Sequence, residues 1–154
     1  MSSRKTNNLL QIICSVFIFL FVYTALSKFQ DLDTFQSVLR KLPFIGKRNP
    51  AILWILPLTE LMVAFLLFLP RTRRLGLYGS FSLMFLFTIY VGLMISFAPH
   101  LPCSCGGVIK QMSWKQHLAF NTFFTALALF GIWLSRRQQK DLLANIDFNA
   151  KHSV

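Results

Sequence analysis

Charge is scarce in this sequence. Only 14% of its 154 residues are Asp, Glu, Lys or Arg, against about 25% in an ordinary soluble domain. That shortage, together with 55% apolar residues and 17 phenylalanines, excludes a water-soluble enzyme with its own folded catalytic domain. It also excludes an intrinsically disordered chain, which needs low hydrophobicity and high charge. Acidic residues are the rarest group, five against sixteen Lys and Arg, so the net charge is +11. The bases sit in short clusters between apolar runs. That arrangement meets anionic lipid headgroups and fixes orientation in a bilayer, and it does not suit nucleic acid. No internal repeat or low-complexity tract stands out.

What the chain has in abundance is long apolar stretches. A helix needs ~20 residues to cross a hydrocarbon core about 30 Å thick. Four stretches are long enough: residues 9–26, 51–69, 75–98 and 116–134. The first and third are uncharged, the second contains Glu60, and the fourth carries His117 as its ionisable group. Lipid offers the backbone no hydrogen-bond partners, so such runs are predicted to be helical. They lack the in-out alternation of barrel strands. The expected fold is all-α, an integral membrane four-helix bundle over residues 1–138 with a polar cytoplasmic tail at 139–154, frayed from Asp141 onward. Arg4 and Lys5 before the first run, and Ala25-Leu26-Ser27 after it, loosely resemble a cleavable signal. Three further spans favour a retained helix.

Four crossings put both ends of the chain on one side. Arg4, Lys5, Arg71, Arg73, Arg74, Arg136, Arg137, Lys140 and Lys151 then face Lys28, Arg40, Lys41, Lys47, Arg48, Lys110 and Lys115 on the other. The short, triply basic connection after span two favours the first group as cytoplasmic, in a cytoplasmic (inner) membrane. Tyr23, Trp54 and Trp114 are expected as outer interface anchors, with Tyr78 and Trp133 as inner ones. Between spans one and two, Phe29, Leu32, Phe35, Val38, Leu39 and Leu42 follow a helical rhythm. They predict an extracytoplasmic amphipathic helix within residues 28–49, ended by Pro43 and Pro50.

Cysteine is rare, with three in the chain. Cys14 lies within the first span and reads as a small buried apolar residue. Cys103 and Cys105 lie together in the third connection, on the extracytoplasmic side of this topology, where disulfides persist. A pair separated by one residue bridges only if the chain turns, and Gly106 and Gly107 supply the freedom for that. Such a small ring is strained, and strained exposed disulfides are the labile or catalytic ones. A plain structural disulfide stays open, as does a metal site in which His100, Cys103, Cys105 and His117 bind zinc or copper. One-residue spacing is tighter than zinc sites use. A non-enzymatic membrane scaffold is a third possibility.

Span four opens with His117, followed at four-residue intervals by Asn121 and Thr125, which share one helix face. That places His117 below the cysteine loop, suited to stabilise a thiolate or shuttle its proton, or simply to mark the water interface. Glu60 stands inside span two, three residues after Pro57. A charge there costs ~2.5–3.5 kcal/mol, so it must face the bundle interior, be protonated or find a partner. Tyr90, Thr88 and Asn121 are its candidate partners. Gly76, Gly79, Gly92 and Gly131 are candidate close-packing positions.

Taken together, Pro57-Leu58-Thr59-Glu60 in span two, the basic turn, and Cys103-Ser104-Cys105-Gly106-Gly107 followed by Ser113-Trp114-Lys115-Gln116-His117 resemble the MauE branch of the MauE/DoxX membrane proteins, over about residues 8–135. The resemblance implies thiol–disulfide chemistry outside the cytoplasm, with Cys103 and Cys105 as redox centre. It further implies an extracytoplasmic thioredoxin-like or disulfide-containing partner, as in the maturation of methylamine dehydrogenase. DoxX relatives are linked to quinone-coupled oxidation of sulfur compounds, so a quinone is the implied cofactor. Catalytic roles for His117 and Glu60, and a quinone or proton path along Asn121 and Tyr90, are expectations drawn from these residues' own placement.

Overall fold

The computed structural model describes residues 3–30, 32–33, 52–97 and 113–152. Among the described residues there are four helices and no strand: α1 (Ser3–Gln30), α2 (Ile52–Phe68), α3 (Arg73–Phe97) and α4 (Trp114–His152). Three of them contain stretches long and apolar enough to cross a membrane, Lys5–Gln30, Arg73–Leu93 and Lys115–Lys140. α2 is apolar but only 17 residues long, about 26 Å at the helical rise. Of the four expected spans it is the short one, lying between Pro50 and Pro70. The protein is an all-helical membrane bundle.

Each helix packs on its neighbours in sequence, and α4 closes the ring against α1, while α1 and α3 scarcely touch. Consecutive helices run antiparallel: the end of α1 meets the start of α2 at Phe29 and Trp54, a short turn reverses α2 into α3, and the start of α3 meets the later part of α4 at Arg74 and Ser135. The turn between α2 and α3 is held by Thr72, whose hydroxyl donates to the Leu66 carbonyl at 2.9 Å. One end of the bundle gathers the start of α1, this turn, and α4 around residues 133–138: Gln138 bonds Asn7 at 3.4 Å, and Arg74 bonds Ser135. At the opposite end Phe29 of α1 meets Trp54 of α2, ring centres 5.9 Å apart.

The core is built from α1 outward. Phe17 and Phe21 are fully buried, and Phe124 of α4 meets Phe17 edge-on at 5.7 Å. Around them pack Leu10, Ile13, Val63, Leu67, Leu77, Ala128 and Leu134. Phe19, Phe65 and Phe123 are exposed by 62–74%. In water such rings would form an adhesive patch; facing lipid they are at home. Close approach at α3 depends on glycine. A Cβ at Gly76 would stand 2.7 Å from the Leu67 backbone nitrogen, and one at Gly79 2.9 Å from Val63. Gly131 meets Leu77 and Ile13 in the same way at 3.0–3.3 Å. Gly92 does not: among the described residues nothing lies within 4 Å of its would-be Cβ.

Two boundaries differ from expectation. α1 continues past Leu26 to Gln30, so Lys28 is a helical residue and not part of a connection. Helix is also unbroken through the stretch expected to fray, to His152; Leu142, Leu143 and Ile146 recur there at helical spacing. The expected surface helix lies largely outside the described residues. Tyr23, Trp54, Tyr78 and Trp133 are exposed, and the side chain of Trp114 lies outside the described residues.

Candidate functional site

At the end of the bundle where α1 stops and α2 begins, charge is buried. Lys28 donates to both carboxylate oxygens of Glu60, at 2.7 and 2.9 Å. Glu60 is 1% exposed and Lys28 16%. The ammonium also reaches the Thr24 carbonyl at 3.4 Å, and the Phe87 ring of α3 lies 6.0 Å away. α1, α2 and α3 all contribute. A lysine stem is long enough to fold along apolar surface and deliver its head to a buried acid. In lipid such a pair is far better than either charge alone. Pro57, one turn earlier in α2, has no N–H for the Leu53 carbonyl, and Thr59 bonds the Ile55 carbonyl at 2.6 Å.

Glu60 therefore takes a partner that the sequence reading assigned to a connection. Thr88 pairs elsewhere: its hydroxyl lies 3.1 Å from that of Thr125 on α4. Thr88 also reaches the Met84 carbonyl, and Thr125 that of Asn121, both at 2.7 Å. Each hydroxyl has one proton, so whichever donates across the interface releases its own carbonyl. Depth could have revealed the ion pair. Glu60 lies eight residues after Ile52, about 12 Å below that end; a lysine near the end of the preceding antiparallel helix spans that distance in part with its own side chain.

α4 begins with a reciprocal cap. The Ser113 N–H donates to the Gln116 side-chain oxygen at 2.8 Å, and the Gln116 N–H to the Ser113 hydroxyl at 3.4 Å. This Ser-x-x-Gln capping box satisfies two of the orphan donors of a helix start. It is visible in the sequence as Ser113-Trp114-Lys115-Gln116. His117 follows, with its N–H on the Ser113 carbonyl at 2.9 Å. The cap thus determines where the imidazole leaves the helix. One turn on, Asn121 is 4% exposed, and its side-chain nitrogen has no hydrogen-bond partner among the described residues. His117 and Thr125 on the same face are partly buried. The Tyr90 hydroxyl on α3 is buried too.

Cys103, Cys105 and His100 lie outside the described residues. Their connection leaves α3 at Phe97 and joins the capped start of α4. Cys14 is a free, buried thiol, 2% exposed, as expected of a packing residue. Among the described residues no three His, Cys, Asp or Glu side chains gather as a metal shell.

Residues 6–134 match the family model described as methylamine utilisation protein MauE. No curated protein and no solved structure matches the chain.

Proposed function

The chain belongs to the MauE family, and from that premise we propose that it exchanges disulfide equivalents with an extracytoplasmic protein through Cys103 and Cys105. A thiolate of the pair attacks a partner disulfide, forming a mixed disulfide and releasing one partner thiolate. The second cysteine then attacks the mixed disulfide. The products are a Cys103–Cys105 disulfide and a partner dithiol; two electrons have passed to the partner, whose sulfurs take up the two protons. In reverse the same steps oxidise the partner.

The observation that carries this reading is the capped start of α4. Ser113 and Gln116 lock the first turn, and His117 is set where the chain arriving from Cys103 and Cys105 enters the helix. An imidazolium there favours the thiolate, which is the attacking species. Asn121, Tyr90 and the Lys28–Glu60 pair line the interior below. In this reading they would serve proton movement or hold a quinone headgroup, which would take electrons from the reduced pair when the exchange runs in the direction that oxidises the partner. The membrane is the cytoplasmic one, with both termini inside and the cysteine pair outside.

Single variants Cys103→Ser and Cys105→Ser, quenched with acid in intact cells, test it. One of them is expected to accumulate a mixed disulfide with a thioredoxin-like or disulfide-rich protein. Alkylation mass-tagging of the native chain should show a pair that changes state with added reductant. Thiols that stay reduced throughout and bind zinc stoichiometrically would overturn the proposal.

A further inference from the structure

The end of the bundle opposite the proposed redox site is a concentration of positive charge with no acidic partner among the described side chains. Arg4 and Lys5 start α1, Arg71, Arg73 and Arg74 occupy the turn into α3, and Arg136, Arg137 and Lys140 lie on α4. No Asp or Glu occurs from Met1 to Gln30 or from Leu61 to Lys140; Asp141 is the first acid to follow. Three of these side chains, Arg74, Arg136 and Arg137, are held by neutral groups. Arg74 donates to the Ser135 hydroxyl and carbonyl, both at 3.3 Å. Arg136 donates to the Tyr78 hydroxyl at 3.0 and 2.6 Å, and its guanidinium lies 5.7 Å from that ring. Arg137 covers Trp133 at 5.4 Å. Each contact orders a cation while leaving its charge unneutralised.

Arg73 is the sharpest case. Its Nε is buried and has no hydrogen-bond partner among the described residues. It is also the first residue of α3, where no acid occupies the first turn. The helix dipole is positive at that end, so a cation there is unfavourable until an anion joins it. The surrounding surface explains which anion. Trp133 and Tyr78 are exposed beside these arginines, as are Leu75 and Phe130. An occupant must therefore offer acyl chains to the apolar side and negative oxygens to the guanidinium groups.

We propose that this end of the bundle binds the phosphodiester headgroup of an anionic phospholipid, held by Arg71, Arg73 and Arg74. Planar guanidinium forks match phosphate oxygens in pairs. The lipid supplies the charge that the chain omits and ties the α2–α3 turn to α4 at the interface. The site is independent of the cysteine chemistry.

The test uses the full chain purified in a neutral detergent, with native mass spectrometry and thermal unfolding. Phosphatidylglycerol is expected to be retained and to raise the unfolding temperature; phosphatidylcholine with the same acyl chains is not. Arg73→Gln should weaken retention by about fivefold, the typical effect of one basic residue at an anionic lipid surface. Arg71→Gln, an exposed turn position, carries the same expectation if Arg73→Gln fails to fold. Lys115→Gln, which removes one charge at the other end, should leave retention unchanged. Equal retention of both lipids, or an equal loss from Lys115→Gln, would overturn the proposal. Stabilisation by inorganic phosphate alone to the same extent would overturn the assignment to lipid.

Discussion

Lys28 of α1 holds both carboxylate oxygens of Glu60 of α2, at 2.7 and 2.9 Å, inside the apolar bundle. Removing one member leaves the other charged, buried and unpaired, which typically costs about 3–5 kcal/mol. Lys28→Met and Glu60→Leu should each lower the unfolding temperature in detergent sharply. The double variant should recover most of the loss, since an apolar pair of similar volume is often neutral or better. Additive losses in the double variant would mean that the two side chains do not act as a pair. If Glu60 also serves proton movement, the double variant will be stable yet slow in disulfide exchange.

A second prediction concerns the start of α4. The Ser113 hydroxyl and the Gln116 amide satisfy orphan helix donors, so Ser113→Ala should cost about 1 kcal/mol. Ser113→Asp keeps an acceptor and should restore stability. If the cap positions His117, mixed-disulfide trapping will slow in Ser113→Ala and recover in Ser113→Asp. Unchanged trapping in Ser113→Ala would separate the cap from the chemistry.

The helices were readable from apolar run length alone because lipid leaves the backbone no alternative. The buried position of Cys14 was readable for the same reason: nothing in its surroundings gives a thiol a polar task. Lys28 was not. A lysine after an apolar run looks like the exit from a span, and only the position of Glu60 on the next helix turns it inward. Thr88 misled in the opposite sense. Its polarity suggested a partner for Glu60, but α3 and α4 pack so that it meets Thr125. Run length reports on one helix at a time, whereas ion pairs and hydroxyl pairs depend on how two helices face each other. Gly92 shows the same limit, since small size alone does not say whether a neighbour is near.

His117 provides a third prediction. It stands one turn before Asn121 on the α4 face that also carries Thr125, and it is partly buried. If it stabilises a thiolate at Cys103 or Cys105, His117→Gln should slow alkylation of the reduced pair by about tenfold near neutral pH. The difference should vanish in alkaline solution, where both proteins are fully thiolate. Equal rates across the pH range would assign His117 a structural role only. Unfolding temperature, measured in parallel, separates loss of the imidazole from loss of the fold.

The glycines of α3 yield the last prediction, because the same substitution meets opposite surroundings. Gly76 faces the Leu67 backbone, where an added methyl would come within 2.7 Å. Backbone cannot rotate away, so Gly76→Ala must push α2 and α3 apart and should cost about 1–3 kcal/mol. Gly79 presses on a Val63 methyl at 2.9 Å, which a small rotation relieves in part, so Gly79→Ala should fall below that. At Gly92 no described residue crowds the position, and alanine there removes only the conformational freedom of glycine, for a gain of up to about 1 kcal/mol. Unfolding of the three variants in one detergent gives the order Gly92→Ala above the native chain, then Gly79→Ala, then Gly76→Ala. A destabilised Gly92→Ala would mean that this face of α3 is covered in the membrane, by a second copy of the chain or by the connection that carries the cysteines.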